Sequence, residues 1–320
     1  MRIGILGAGA FGTALAIALA RAGREVMLWG RDAGAMVQIA GSRETPRLPG
    51  VVLPEGIAVT GDLGTVAAQD AVLLAVPMQT LGALLKQIGD GRDGQPLIAC
   101  CKGVDLTTGH GPSHIIASAR PRAIPAVLTG PSFAADIARG LPTALTIACA
   151  REETGIALQH ALSTPALRLY RTDDLTGAEL GGALKNVMAI ACGACIGAGL
   201  GDSARAALMT RGFAEMTRFA VHHGARAETL AGLSGLGDLA LTCTSELSRN
   251  YRYGLALGRE EPFDPAITVE GAATARAVAA MAGKISLSLP ISSAVAELVE
   301  GRATVREVLQ DLLSRPLKEE

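Results

Sequence analysis

Gly7, Gly9 and Gly12 stand in G-x-G-x-x-G spacing. An apolar run, Ile3–Leu6, leads into them. A helix-forming run, Thr13–Arg21, leads out and stops at Gly23, and a second apolar run, Val26–Trp29, follows. Strand, tight turn, helix and strand in that order are the context in which such glycines bind a dinucleotide. Gly7 allows the turn, Gly9 lets the backbone approach a pyrophosphate, and Gly12 lets helix and strand come close. The helix start, at Ala10 and Phe11, offers N–H groups and the positive end of a dipole. The second strand ends in Gly30-Arg31-Asp32. At that place an acidic group bonds a ribose 2′-hydroxyl and an arginine suits a 2′-phosphate. Arg31 therefore favours NADP, and Asp32 keeps NAD open.

Further polar groups fall at the ends of apolar runs. Val76-Pro77 ends one run where the nicotinamide half would lie, Lys102-Gly103 ends the next, and Gly130-Pro131-Ser132-Phe133-Ala134 ends a third and opens a helix. Lys102 brings a positive charge there, and Ser132 with the helix start brings donors for an anion. Later, Lys185-Asn186 interrupts an apolar helix that begins at Leu180. A lysine in such a helix is costly to bury unless it faces a site or a partner charge. Gly235-Leu236-Gly237-Asp238 reads as a turn that can aim Asp238 inward. Thr242 comes next, then Ser248-Arg249-Asn250, in which the arginine offers planar, charge-assisted donors to an anion. Singly, each has an ordinary reading: a surface lysine, a capping aspartate, a polar helix start. Together, a nucleotide fold, two lysines, a carboxylate and an anion clamp point to hydride transfer to a phosphorylated carbonyl compound.

The elements that must position these groups fall into two halves. A chain of 320 residues suggests about two domains. Up to about residue 170, short apolar runs alternate with helical stretches: Ile3–Leu6, Val26–Trp29, Ile57–Val59, Ala71–Val76, Leu97–Cys101, Ala126–Leu128, Ala144–Ala148 and Leu167–Tyr170. Continuous hydrophobicity suggests strands covered on both faces, hence a mostly parallel sheet. From Asp174 the strand-like runs stop and helical periodicity takes over: Leu180–Ala194, Ala204–His223, Ala272–Ala282, Ser292–Val299 and Val305–Leu313. The expected architecture is an α/β Rossmann-type N-terminal domain over residues 1–173, then an all-α substrate-binding and catalytic domain over residues 174–320. Ligands of such sheets bind beyond the C-terminal strand ends, and the helical domain is expected to close over that edge.

Composition removes other classes. A net charge of −1 and 3% aromatic residues give no footing for nucleic acid. Val187–Gly201 is uncharged but shorter than the roughly 20 residues a membrane span needs, so a buried helix running into a glycine-rich bend is expected. A first strand at Ile3 leaves no place for a leader, and a cytoplasmic protein is expected. Cys192 and Cys195 have C-x-x-C spacing without a second pair, so all six cysteines read as reduced, buried thiols. His110 and His114 lack a completing ligand, and no metal is expected.

The chain resembles the bacterial NAD(P)-dependent glycerol-3-phosphate dehydrogenases. The stretches that carry this are Gly7–Gly12, Lys102-Gly103, Gly130–Ala134, Gly181–Asn186, Ala204–Gly212, Gly235–Asp238, Thr242–Thr244, Ser248–Asn250 and Val269-Glu270-Gly271. They stand in family order across nearly the whole chain. The resemblance implies reversible reduction of dihydroxyacetone phosphate to sn-glycerol 3-phosphate with NAD(P)H, for glycerophospholipid synthesis, by a homodimer. By position it makes Lys185 the proton-transfer lysine, with Asp238 and Lys102 in the catalytic set. Lys102, Gly130, Ser132, Asn186, Asp238, Thr242, Ser248, Arg249 and Asn250 become substrate contacts. Gly7, Gly9, Ala10, Phe11, Gly12, Arg31, Pro77, Lys102, Ala134, Arg249, Val269 and Glu270 become cofactor contacts. Two departures stand out: Cys100-Cys101 precedes Lys102 where many members have a polar or small residue, and Ile196 replaces an acidic one. Other reductases of the same two-domain type act on carboxylates. Ser248-Arg249-Asn250 with Gly-Leu-Gly-Asp favours a phosphate instead, and a non-catalytic NADP sensor would not need Lys185 and Asp238.

Overall fold

A computed structural model describes residues 1–89, 91 and 93–314. Its contacts divide the chain into two units. The first comprises Met1–Lys102 and His110–Glu179; the second comprises Gly103–Gly109 and the chain from Leu180 onward.

The first unit is built on one eight-stranded sheet of order β3-β2-β1-β4-β5-β6-β7-β8. The strands are β1 (Ile3–Leu6), β2 (Val26–Trp29), β3 (Ile57–Thr60), β4 (Ala71–Leu74), β5 (Pro96–Ala99), β6 (Ile124–Thr129), β7 (Thr143–Ala148) and β8 (Leu167–Thr172). Helices α1 (Ala10–Arg21), α2 (Ala33–Ser42), α3 (Leu63–Ala67), α4 (Met78–Gln87), α5 (Pro112–Ala119), α6 (Ala134–Arg139) and α7 (Glu152–Leu162) connect them. Every pairing is parallel except β6 with β7. The order from β3 to β6 is that of a doubly wound nucleotide-binding sheet, whose switch point lies where the order reverses, between β1 and β4.

The apolar runs explain this arrangement. Along β4, Leu73 joins one buried cluster with Ile3, Ile5 and Leu28, while Val72 and Leu74 join another with Leu97 and Val127. Side chains alternate between the two faces of a strand, so a strand covered on both faces must be apolar throughout. Two expected strands were too long: β4 stops at Leu74 and β5 at Ala99. Past Leu74 the Ala75 N–H still donates to the Leu6 carbonyl at 2.8 Å, and the turn at Gly7 lies against the Ala75 carbonyl. Gly7 has φ +128°, and a Cβ there would sit 2.3 Å from the Ala75 oxygen.

Among the described residues the second half is all-helical, as expected. It contains α8 (Leu175–Gly197), α9 (Gly201–His222), α10 (Ala227–Ala231), α11 (Asp238–Cys243), α12 (Arg249–Arg259), α13 (Glu270–Lys284), α14 (Pro290–Val299) and α15 (Val305–Ser314). Helix α8 corrects one expectation. It has 23 residues and is long and apolar enough to cross a membrane by length and composition. Burial, not length, marks it as a core helix: 83% of its most apolar window is buried inside the protein. The glycine-rich bend follows, with Gly199 and Gly201 at φ +73° and +86°. The six cysteines are buried thiols, none of them in a disulfide. Among the described residues no three His, Cys, Asp or Glu side chains gather as a metal site.

Glu215 on α9 is 2% exposed. Its carboxylate accepts from the backbone N–H of Ile291 at 2.7 Å and of Ser292 at 3.1 Å, and from the Ser292 hydroxyl at 3.1 Å. These donors open α14, whose first N–H groups have no partner within the helix. Burial pushes the Glu215 carboxyl above its usual range. Glu215→Ala removes the acceptor of all three hydrogen bonds and orphans two buried backbone N–H donors, at about 1–3 kcal/mol each. Some of this returns because a desolvated charge is also lost. The expected net loss is about 2–4 kcal/mol, read as a lower Tm in thermal unfolding; an unchanged Tm would show that α14 is held by apolar packing alone.

Candidate active site

The groups expected at the sheet edge lie past the C-terminal ends of neighbouring strands. The β1–α1 turn holds Gly7, Gly9, Ala10, Phe11 and Gly12. Gly9 is the N-cap of α1 and no side chain caps that helix end. A Cβ on Gly9 would meet nothing within 4 Å, whereas one on Gly12 would lie 2.1 Å from the Gly7 oxygen. Gly12 is thus required by packing. Gly9 leaves open space before the bare N–H groups of a helix start, which is the shape and polarity a pyrophosphate needs. These residues fit a dinucleotide.

Past β2, Asp32 caps α2: its carboxylate accepts from the Ala35 N–H at 2.9 Å. Arg31 beside it is exposed. Pro77, exposed, is the N-cap of α4 just beyond β4. Past β5 and β6, three expected residues come together: the Lys102 ammonium donates to the Gly130 carbonyl at 3.3 Å, and the Ser132 hydroxyl donates to the same oxygen at 3.2 Å. Gly130 holds φ +134°. Ala134 begins α6, whose N-cap Phe133 provides no side-chain cap.

In the second unit Lys185 is buried, with its side chain 9% exposed. Its Nζ lies 2.9 Å from Asp238 Oδ1 and donates to Thr242 Oγ1 at 2.7 Å, while the Thr242 hydroxyl donates to Asp238 Oδ1 at 3.3 Å. A buried ammonium persists only with such partners. Local sequence brings them together. Leu233–Gly237 form a π-helical turn that runs directly into α11 at Asp238. The free-standing turn expected at Gly235–Asp238 is therefore a helix junction. It rests on α8 because Gly181 has no side chain, since a Cβ there would come within 2.6 Å of the Ser234 oxygen. Lys185 lies one turn further along the same face of α8. Asp238 and Thr242 are also one turn apart, so both meet it.

The Ser248-Arg249-Asn250 cluster is less uniform than expected. Ser248 is the N-cap of α12, its hydroxyl accepting from the Tyr251 N–H at 3.2 Å. Asn250, buried, donates to Asn186 Oδ1 at 2.9 Å and accepts from the Gly271 N–H at 2.9 Å. Arg249 alone of the three is exposed, at the first position of α12. Val269 and Glu270 form the N-cap and first residue of α13. The bond chain from Asn186 through Asn250 to Gly271 thus joins the chain neighbours of Lys185, Arg249 and Glu270. Gly271 lay in a matching stretch without a role, and its neighbour Glu270 was the signal for it.

Comparison with known proteins gives the family. The model of the NAD-dependent glycerol-3-phosphate dehydrogenase N-terminus matches residues 2–155, and that of the C-terminus matches residues 174–310. The chain is 60% identical to a glycerol-3-phosphate dehydrogenase [NAD(P)+] of Ruegeria sp. (strain TM1040), over all of both chains. It is 61% identical to the protein of the same description from Paracoccus denitrificans (strain Pd 1222), again over the whole of both. A crystal structure of glycerol-3-phosphate dehydrogenase from Coxiella burnetii superposes with a TM-score of 0.92 at 34% identity, covering 98% of this chain and 99% of that one. With both halves matched in order and relatives alike from end to end, the chain belongs to the NAD-dependent glycerol-3-phosphate dehydrogenase family.

Proposed function

We propose that this protein catalyses the reversible reduction of dihydroxyacetone phosphate to sn-glycerol 3-phosphate, with NADP favoured over NAD. The observation that carries the reading is the buried Lys185–Asp238–Thr242 triangle. Family membership and the open, uncapped helix start at Gly9 supply its setting. Held at the Gly7–Gly12 turn and the start of α1, NADPH would supply the hydride. Negative charge then develops on the C2 oxygen of the substrate. Lys185 stabilises that charge more in the transition state than in the ground state, and delivers the proton. Asp238 pairs with the ammonium and, with Thr242, aims it. Lys102, held on the Gly130 carbonyl, adds a second positive group beside Ser132. Arg249 takes the phosphate, one CH2–O link away from the reacting carbon. The reading places the enzyme in the cytoplasm, as a homodimer that supplies glycerophospholipid synthesis. Incubation with dihydroxyacetone phosphate and NADPH, with the product identified as glycerol 3-phosphate, tests it; absence of product refutes it.

The cofactor preference rests on Arg31. Asp32 spends its carboxylate on the α2 cap, while Arg31 stays exposed at the strand end where a 2′-phosphate would lie. Arg31→Ala is expected to weaken NADPH more than NADH. A charge-assisted contact is worth about 1.5–3 kcal/mol. The ratio of kcat/KM for NADPH to that for NADH should therefore fall by roughly 10- to 100-fold. An unchanged ratio would make Arg31 a bystander.

A further inference from the structure

Helices α8 and α12 touch through glycines on both sides. A Cβ on Gly193 would lie 2.1 Å from the Tyr251 oxygen, and one on Gly197 2.4 Å from the Leu255 oxygen. In return, a Cβ on Gly254 would lie 2.2 Å from the Ile190 oxygen, and one on Gly258 2.3 Å from the Ala194 oxygen. Each helix therefore carries a G-x-x-x-G whose bare face receives the other's backbone. The partners also climb together: Asn186 meets Asn250, Ile190 meets Gly254 and Ala194 meets Gly258, each pair 64 residues apart. The two helices run parallel in one fixed register, and the same separation places Lys185 level with Arg249.

We infer that Gly193, Gly197, Gly254 and Gly258 are positioning residues for the reaction: their interlock sets the register that holds the phosphate-binding Arg249 level with the proton-transferring Lys185. The inference rests on the role of Arg249 given under the proposed function. Its physical basis is the length of the substrate, which must reach from the phosphate group to the C2 oxygen. A slip of one turn between the helices would move one end of that reach by about 5.4 Å. A smaller displacement of about 1 Å at a distant residue can cost on the order of 10²-fold in rate. The interlock controls this displacement because a methyl group on any of the four glycines has no place to go. The wall on the other side is backbone, which cannot rotate aside as a side chain can. Lys185 itself is held from elsewhere, by Asp238 and Thr242 on α11. Pushing α12 away thus displaces Arg249 and leaves the proton donor in place.

This asymmetry gives the test. Gly254→Ala is compared with wild type on dihydroxyacetone phosphate and on dihydroxyacetone, which lacks the phosphate. The kcat/KM for the phosphorylated substrate is expected to fall by roughly 10- to 100-fold, and that for dihydroxyacetone by less than about three-fold. Gly258→Ala, one residue from the end of α12 where the chain yields more easily, should show a smaller effect in the same direction. Gly283→Ala, whose Cβ would meet nothing within 4 Å, should leave both rates unchanged. Equal proportional losses on the two substrates would overturn the inference, since damage to the fold acts on both alike. An undiminished phosphate advantage in folded Gly254→Ala would overturn it too. So would insolubility of both interlock variants, which would make the glycines requirements of folding and not of positioning. Failure of the underlying reading looks different: wild-type protein would show no advantage for the phosphorylated substrate at all.

Discussion

Lys185→Ala abolishes nearly all turnover while NADPH binding stays close to normal: this is the largest effect expected of any single substitution here. In the proposed mechanism Lys185 is at once the proton donor and the cation facing the developing oxyanion. Losing both functions costs at least about 10²-fold in kcat. Lys185 is not among the proposed cofactor contacts, so NADPH affinity, read by fluorescence titration, should be spared. Stability is not spared. Asp238 is 1% exposed, and removing Lys185 leaves this buried carboxylate without its ion-pair partner, a loss of about 3–5 kcal/mol. Activity must therefore be expressed per folded molecule, with thermal unfolding as the control. A folded variant that keeps a third of the wild-type kcat would remove Lys185 from the mechanism.

Arg249→Ala raises the KM for dihydroxyacetone phosphate sharply and largely erases the advantage of that substrate over dihydroxyacetone. Arg249 is the exposed member of its cluster, since Ser248 is spent on the α12 cap and Asn250 on Asn186 and Gly271. Its guanidinium is a planar fork suited to a dianion. The unphosphorylated substrate cannot use that fork, so its already low kcat/KM should barely move. The two substrates should converge by roughly 10- to 100-fold, the worth of one or two charge-assisted hydrogen bonds. Some loss of NADPH affinity accompanies this if Arg249 also reaches the cofactor. Equal proportional losses for both substrates would assign Arg249 to the cofactor or the fold. The phosphate site would then be sought at Lys102 and Ser132.

Much of the fold was legible because burial on both faces leaves a plain mark. A strand in the middle of a covered sheet is apolar without interruption, and each of the eight runs became a strand. The reversed direction of β7 left no such mark, because alternation and hydrophobicity do not depend on strand direction. Lys185 stood out because a charge in an apolar helix needs a reason. Its partnership with Thr242 did not, since the two are 57 residues apart and threonine in a helix is unremarkable. Asp238 was misplaced onto a turn because glycines on either side of Leu236 suggest one. Packing against Gly181 instead supports a π-helical turn, a local form common at functional sites. Glu215 reads as one more surface glutamate between Arg211 and Arg218. Only the approach of α14 reveals it as an internal cap. The glycine interlock of α8 and α12 is tertiary in the same sense. Each G-x-x-x-G is visible alone, but what makes it informative is the backbone that fills it.

The central claim is that a buried lysine, aimed by Asp238 and Thr242, serves reduction of a phosphorylated ketone. The most direct test follows NADPH absorbance with purified protein and two substrates in parallel, dihydroxyacetone phosphate and the 2-oxo acid ketopantoate. Oxidation of NADPH with the phosphorylated ketone, with glycerol 3-phosphate as product and no comparable rate with the carboxylate, is the expected result. Turnover of the 2-oxo acid with none of the phosphorylated ketone would contradict it.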